Sequence, residues 1–211
     1  SIKHLCPYCI LLENGYLKER GPSETVVDHY LESMLQPVQH PKVLKKLDEK
    51  KDFELASIRI INAIGQENSH CNCDLPITIE LIFDVRKTIP GLYGYLEIIK
   101  DDDTVVLVSD SYDNEPNSLD NLEPGVHTFK VTIPPRTLGP GNYRIYLNFT
   151  SMYNVQSFNV DTPGIVYSFL IYDETSRRGN KRGGYFSTKL KWEHTTPATL
   201  PTTHMENTVS F

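Results

Sequence analysis

The 211-residue sequence is poor in cysteine, tryptophan and positive charge, and it has no long hydrophobic run. Four cysteines are too few for a small scaffold held together by disulfides. Without a stretch of about 18 apolar residues, the sequence predicts no membrane-spanning helix. The 21 Lys and Arg residues against 27 Asp and Glu give a net charge of −6, whereas nucleic-acid-binding proteins present a basic surface. The composition therefore favours a neutral ligand or a protein partner, and no nucleic acid.

What the sequence has is a series of short segments in which apolar and polar residues alternate, the pattern of half-buried strands. Turn sequences such as Glu123-Pro-Gly125 separate them, and no helical periodicity intervenes. This pattern predicts an all-β fold, an immunoglobulin-like antiparallel β-sandwich. The eight predicted strands are Leu55–Asn62, Ile77–Arg86, Leu92–Lys100, Thr104–Ser109, Val126–Ile133, Asn142–Thr150, Val166–Asp173 and Tyr185–Trp192.

The sequence before the sandwich has a mixed character and predicts a short α/β extension. Cys9–Glu13 and Tyr16–Glu19 are typical of two short strands around a turn, and Ser23 caps an amphipathic helix that follows. We therefore divide the chain into four parts. They are an N-terminal extension (1–35), a charged linker (36–52), the β-sandwich (53–193) and a tail rich in Thr and Pro that is predicted to be disordered (194–211).

The outward-facing side chains of three predicted strands suggest a binding surface. In an immunoglobulin-like order, Leu92–Lys100, Asn142–Thr150 and Val166–Asp173 lie side by side in one sheet. Their alternation then sets a tyrosine platform, flanked by acidic, amide and guanidinium groups, on the outer face. Such rings stack on the apolar faces of sugars, and such polar groups bind sugar hydroxyls. The predicted carbohydrate-binding residues are Tyr93, Tyr95, Glu97, Arg144, Tyr146, Asn148 and Tyr172; the alternative is that these tyrosines only pack across neighbouring strands.

Motifs for catalysis or for cofactor binding are weak. The sequence has no phosphate-binding loop and no nucleophile elbow, so we predict no catalytic residue, no metal and no cofactor. The basic run Arg177–Gly184 predicts a flexible loop that has the charge to contact an anionic group. Cys6-x-x-Cys9 and Cys71-x-Cys73 leave zinc binding or redox chemistry as an alternative, and the Asp110/Asp113/Glu115 cluster leaves calcium, although its spacing does not fit an EF-hand.

The first residues carry a resemblance to a known family. Leu5-Cys-Pro-Tyr-Cys-Ile-Leu-Leu-Glu-Asn-Gly15, followed by Gly21-Pro-Ser-Glu-Thr-Val-Val-Asp-His-Tyr-Leu31, resembles the closing segment of an ABC transporter ATP-binding domain. The Walker and signature motifs of that family are not in this chain, and His4 does not match the position of its switch histidine. The resemblance therefore implies no ATPase activity here.

The predicted sandwich is similar to the C-terminal carbohydrate-binding domain of Wzt-type ATP-binding subunits of O-antigen polysaccharide exporters. The hairpin at Asp101–Thr104 departs from that pattern because it lacks a glycine. The similar phrases are Gly94-Tyr-Leu-Glu-Ile-Ile-Lys-Asp-Asp, Val105-Val-Leu-Val-Ser-Asp-Ser, Leu122-Glu-Pro-Gly-Val-His-Thr-Phe, Leu138-Gly-Pro-Gly-Asn-Tyr-Arg-Ile and Phe169-Leu-Ile-Tyr-Asp.

This resemblance implies non-catalytic recognition of a lipid-linked, O-antigen-type polysaccharide for export by an ABC transporter. The implied partners are that polysaccharide, the membrane subunit of the transporter and a second copy of the chain, with the last strand, Tyr185–Trp192, exchanged. The alternative for Trp192 is a core residue that closes the sandwich edge. The implied location is cytoplasmic, peripheral to the inner membrane through the transporter. The alternative function is a protein-interaction or dimerisation sandwich with no glycan ligand.

Overall fold

A computed structural model of the chain describes residues 5–13, 15–34, 47–62, 64–153 and 159–195. Within these residues the chain forms one α-helix, α1 (Ser23–Met34), and ten strands. The strands are β1 (Tyr8–Glu13), β2 (Tyr16–Pro22), β3 (Phe53–Ile61), β4 (His70–Asn72), β5 (Ile77–Val85), β6 (Leu92–Lys100), β7 (Val105–Asp110), β8 (Gly125–Ile133), β9 (Gly141–Ser151) and β10 (Asn159–Tyr172). No described helix is long and apolar enough to cross a membrane.

The N-terminal extension is a β-hairpin followed by a helix, as the sequence predicts. Strands β1 and β2 pair antiparallel, with Tyr8 opposite Pro22. Gly15 has a positive φ of 84°, which glycine adopts without steric cost, so it suits the turn. Helix α1 begins where the Ser23 amide donates to the Pro7 carbonyl at 3.0 Å, and Val26 is its buried anchor. The predicted cap by Ser23 is wrong, because the Ser23 hydroxyl is buried and has no hydrogen-bond partner among the described residues.

The remaining strands form a β-sandwich of two sheets. One sheet has the order β4-β10-β9-β6-β7 and the other has the order β3-β5-β8. Apolar side chains from the facing surfaces fill the core, where the ring of Phe53 lies 5.0 Å from Phe83 and 5.2 Å from Phe149, measured between ring centroids. The predicted fold class is confirmed. Strands β6, β9 and β10 are neighbours in one sheet, as the argument for the outer face requires.

A buried tyrosine opens β9. The Tyr143 hydroxyl donates to the Gly139 carbonyl at 2.8 Å, and burial raises the pKa of this phenol. Such an internal hydrogen bond satisfies the polar end of a ring that is otherwise surrounded by apolar side chains. The structural role that the Leu138–Tyr143 sequence predicts for this residue is therefore confirmed.

Two parts of the predicted strand pattern are wrong. Strand β4 was missed because three residues are too short for a visible alternation, and it pairs in parallel with β10. The predicted strand Tyr185–Trp192 is absent, since this segment lies along the loop before β9 rather than in a sheet. There the Gly139 amide donates to the Tyr185 carbonyl at 2.7 Å and the Ser187 hydroxyl donates to the Leu138 carbonyl at 2.7 Å.

The end of this segment is exposed in the single chain. Leu190 is 75% and Trp192 94% accessible to solvent, so Trp192 is not a core residue of this sandwich. Most of the predicted linker and nearly all of the predicted tail lie outside the described residues. Where the linker is described, the Arg86 guanidinium donates to the Lys51 carbonyl at 2.7 Å, which attaches the chain to the sandwich just before β3 begins.

Candidate functional site

The outer face of the five-stranded sheet brings most of the predicted site residues together. Strands β6 and β9 pair so that Tyr95 lies opposite Asn148 and Glu97 lies opposite Tyr146. Directly opposed residues of an antiparallel pair project from the same face with their Cβ atoms roughly 5 Å apart. All four side chains are half-buried. Tyr95, Tyr146, Glu97 and Asn148 therefore form one continuous surface, which we call the tyrosine patch.

A hydrogen bond fixes the centre of this patch. The Tyr95 hydroxyl donates to Glu97 Oε1 at 2.8 Å. This bond, followed by desolvation, raises the pKa of the Tyr95 phenol, so the ring stays protonated and remains a donor. Because the two residues stand on the same strand and face, the bond holds the ring and the carboxylate in one arrangement.

Arg144 lies at the side of the patch nearest the turn between β6 and β7, and its guanidinium already has an acidic partner. It is opposite Ile99 on β6 and two residues before Tyr146 on β9. Its guanidinium forms an ion pair with Asp103, a largely exposed acid in the turn between β6 and β7. The positive charge that the sequence places on this face is therefore locally balanced.

Tyr172 lies apart from the other predicted rings. Strand β10 pairs with β9 so that Ile165 is opposite Tyr146, whereas Tyr172 is seven residues further along β10, beside Asn72 of β4. At a rise of roughly 3.3 Å per residue, this places Tyr172 about 20 Å away along the strand. The predicted tyrosines that lie together on this face are therefore Tyr93, Tyr95 and Tyr146. Tyr172 lies at the opposite end of the sheet.

Three further residues, Tyr112, Met152 and Tyr153, lie beside Tyr93 at one end of this face. We name the group Tyr93, Tyr112, Met152 and Tyr153 the aromatic corner. The rings of Tyr93 and Tyr112 lie 5.3 Å apart between centroids, and the Tyr112 hydroxyl donates to Met152 Sδ at 2.7 Å. Tyr112 is 41% and Tyr153 72% exposed. The aromatic corner thus extends the tyrosine patch beyond the ends of β6 and β9.

Gly91 positions the aromatic corner. It has a positive φ of 69°, and a Cβ atom at this position would lie 2.5 Å from the ring of Tyr153, so the ring packs directly on the glycine. The Gly91 amide donates to Asp120 Oδ1 at 2.7 Å, and its carbonyl accepts from the Met152 amide at 3.0 Å. Gly91 therefore connects the turn before β6 with the loop that contains Asp120 and with the residues that follow β9. Its place in a Pro-Gly turn is the sequence signal that would have pointed to the aromatic corner.

Two polar side chains at this end of the face have unused hydrogen-bonding capacity. Asn148 Oδ1 and Thr150 Oγ1 are buried and have no hydrogen-bond partner among the described residues. Thr150 lies opposite Tyr93 and is only 3% exposed, which corrects the expectation from the alternation that it is solvent-facing. Buried polar atoms are nearly always paired in native proteins, so these two atoms retain hydrogen-bonding capacity that the described residues do not use.

Cys73, one of the cysteines of the alternative metal site, lies beside two acids, whereas Cys6 and Cys9 are free thiols in the N-terminal hairpin region. Ligand atoms of Cys73, Asp74 and Asp173 lie within 4.8 Å of one another. The Arg136 guanidinium occupies the position of a cation there, with nitrogen–oxygen distances of 2.6 Å to Asp74 and 2.7 Å to Asp173. Burial raises the pKa of the Cys71 thiol to about 11, so it is not a thiolate nucleophile at neutral pH.

Asp110 and Asp113, for which the sequence leaves calcium as an alternative, form a local turn. The Asp110 side chain accepts from the Tyr112 amide at 2.8 Å, and Asp113 accepts from the Asp110 amide at 3.3 Å. These bonds make a capping box on the short 3-10 helix Ser111–Asp113. This turn holds Tyr112 against Tyr93, so the acids act here as supports for the aromatic corner.

Comparison with known proteins identifies the fold. No protein-family model matches this chain, and no curated protein matches it. Among solved structures, the chain is similar to a crystal structure of the C-terminal domain of Wzt, with a TM-score of 0.55 and 11% sequence identity, covering 76% of this chain and 93% of that one. At this identity the likeness shows the fold alone. The chain has the β-sandwich fold of the Wzt C-terminal domain.

Proposed function

We propose that the sandwich binds a saccharide on the outer face of its five-stranded sheet and does not change it chemically. The observation that carries this proposal is a group of half-buried tyrosines on one face, with Tyr95 opposite Asn148 and Tyr93 opposite Thr150, whose buried polar atoms have no hydrogen-bond partner among the described residues. Sugars present apolar C–H faces that stack on rings, and hydroxyls that donate to and accept from amides and hydroxyls. The patch supplies both kinds of contact on a preformed surface.

The expected affinity is modest. Each ring contributes roughly 1 kcal/mol beyond the burial of its area, so three rings and a few hydrogen bonds give a Kd between about a micromolar and a millimolar. A preformed sheet limits the entropy that is lost on binding. Weak, reversible binding suits a protein that must hand its ligand on rather than keep it.

We further propose that the ligand is a lipid-linked polysaccharide of the O-antigen type, bound in the cytoplasm before export by an ABC transporter. Two independent likenesses support this: the fold of the Wzt C-terminal domain, and the resemblance of Leu5–Leu31 to the end of an ABC ATP-binding domain. The membrane subunit of the transporter is then the partner that receives the polysaccharide and that holds this chain at the inner membrane.

Substitution of Tyr146 tests the binding face. Tyr146→Ala removes a ring from the centre of the patch, and we expect it to weaken binding of the cognate O-polysaccharide about fivefold or more by titration calorimetry, with no change in thermal unfolding. Tyr172→Ala is the matched control, since it removes an equally half-buried ring at the far end of the sheet. Equal affinity of the Tyr146→Ala variant and the unmodified protein would exclude this face.

A second candidate function is self-association through the C-terminal segment. Its side chains alternate in the way a strand requires, yet Leu190 and Trp192 are exposed in the single chain. Large exposed apolar side chains next to one another are typical of a protein–protein interface. We propose that a second copy covers them, by exchange of Tyr185–Trp192 between protomers. This assembly is compatible with saccharide binding, because the tyrosine patch is built by β6 and β9.

A further inference from the structure

The charges around the tyrosine patch are mostly negative. Glu97 stands at its centre, and Asp110 lies opposite Tyr95 on the side away from Asn148. Asp113 and Asp120 support the loops of the aromatic corner. The field of Asp120 contributes, after desolvation, to the raised pKa of the Tyr112 phenol. A ligand that lies across the patch therefore approaches several carboxylates at short range.

The cations near this face are already neutralised. Arg144 is the cation that the described strands of the face contribute, and it pairs with Asp103. The ammonium of Lys100 lies 5.8 Å from the centre of the Tyr143 ring and 5.3 Å from that of Tyr185, at the other end of β6. No described cation of the face is therefore placed to balance an anionic ligand at the tyrosine patch.

We propose that this patch binds uncharged or amine-bearing saccharide units and rejects units that carry a carboxylate, sulfate or phosphate group. The inference rests on the proposed function and defines its ligand class. A second observation suggests where the ligand lies: the hydroxyl of Thr150, almost fully buried on the same face, has no hydrogen-bond partner in the described part of the chain. A neutral hydroxyl or amide of a sugar satisfies such an atom, whereas an anionic group there adds repulsion from Glu97 and Asp110. The rings and the Glu97 carboxylate together also favour an ammonium group.

An array of bacterial polysaccharides, with neutral, amine-bearing and acidic repeating units, tests this inference with the full chain. We expect binding to neutral and amine-bearing polysaccharides, with acidic ones at least about tenfold weaker. The discrimination should shrink as the salt concentration rises toward 1 M, where the screening length falls to roughly 3 Å and the short-range repulsion between an acidic ligand and the carboxylates is reduced.

Removal of the two central charges is the decisive variant. In Glu97→Gln/Asp110→Asn, each amide keeps an oxygen that accepts the hydrogen bond from Tyr95 or from the Tyr112 amide, so the geometry is retained and only charge is lost. We expect acidic polysaccharides to bind this variant within about threefold of neutral ones. Glu49→Gln/Glu123→Gln removes the same charge at exposed positions elsewhere and should keep the discrimination.

The outcomes separate the two proposals. Acidic polysaccharides that bind the unmodified protein as tightly as neutral ones would overturn the charge selection and leave saccharide binding in place. Discrimination that persists in the Glu97→Gln/Asp110→Asn variant would overturn the role assigned to these acids. Binding to no polysaccharide of any class would overturn the proposed function, and the charge selection with it.

Discussion

Thr150 is a buried polar residue on the outer face of the five-stranded sheet. Its hydroxyl is buried, lacks a described partner and lies opposite Tyr93 on the outer face. An unpartnered buried polar group costs roughly 1–3 kcal/mol. A residue that is retained at such a cost in a strand, where valine would fit equally well, is explained when a ligand pairs with it.

Thr150→Val separates stability from binding. The change keeps the shape of the side chain and removes the unpaired hydroxyl, so we expect the free protein to be more stable by about 1 kcal/mol in urea unfolding. Saccharide binding should weaken about fivefold by calorimetry, because the hydrogen bond to the ligand is lost.

Thr132→Val on β8 is the control for this change. Strand β8 belongs to the three-stranded sheet, where the exposed Thr132 hydroxyl is 3.3 Å from that of Thr78 on the neighbouring strand β5. Its replacement should change stability by less than about 0.5 kcal/mol and leave binding unaffected. Thr150→Val protein that is less stable than the unmodified chain would contradict the unpaired state of the hydroxyl.

The alternation of side chains could predict which residues share a face, but not how far apart they are along it. Period-two patterning places Tyr95, Glu97, Tyr146 and Asn148 together because their strands are neighbours. It could not place Tyr172, since the pairing of β9 with β10 is offset by several bulges. Nor could it show the aromatic corner, which depends on how loops around Gly91 pack rather than on any periodic pattern.

Beyond β10, hydrogen bonds attach the start of the loop that carries the basic run to the sandwich. Asp173 accepts hydrogen bonds from the Thr175 and Ser176 amides, and Asn180 accepts one from the Asp173 amide. The Arg136 guanidinium binds Asp173 from the loop before β9. The loop therefore ties the end of β10 to that loop, along which the C-terminal segment lies.

Asp173→Asn tests this attachment. It removes the charge that Arg136 binds, and both side chains are largely buried, so we expect a loss of roughly 2–4 kcal/mol in the free energy of unfolding at pH 6. Asp52→Asn removes an exposed acid that lies 3.7 Å from Lys87 and should cost less than about 0.5 kcal/mol.

The same pair gives a pH dependence with a definite sign. The hydrogen bond from Arg136 holds the pKa of Asp173 well below its usual range. The unfolded chain therefore takes up a proton first, near pH 4, so the stabilisation is complete above about pH 4 and is lost as the pH falls below it. The stability gap between the unmodified protein and Asp173→Asn should narrow below about pH 4. A gap that is constant from pH 6 to pH 3 would contradict the ion pair.

In the whole molecule, the apolar core of the sandwich is buried, whereas the large apolar side chains of the C-terminal segment are exposed. The two sheets enclose an apolar core that the alternation in the sequence predicts well, down to the position of Phe83 and Phe149. The segment Tyr185–Trp192 has the same alternation, but it lies along the loop before β9 and forms no strand, so here the pattern predicts a strand that the described fold lacks.

Light scattering tests this self-association. We expect the chain to be a dimer at micromolar concentration, and Leu190→Ser/Trp192→Ser to weaken the dimer at least about tenfold, because two large apolar side chains lose their burial. Ile64→Ser changes an equally exposed apolar residue elsewhere and should leave the mass unchanged. An unmodified chain that is monomeric throughout the concentration range would exclude the second candidate function.

The most direct test of the account is amide chemical-shift mapping of the isotope-labelled chain during titration with oligosaccharides of the cognate O-polysaccharide. The account predicts shifts that saturate and that are confined to β6, β9 and the loops of the aromatic corner, with the amides of Tyr95, Tyr146 and Asn148 among the largest. Shifts centred on the sheet β3-β5-β8, or a titration in which the amides of the tyrosine patch do not move, would contradict it.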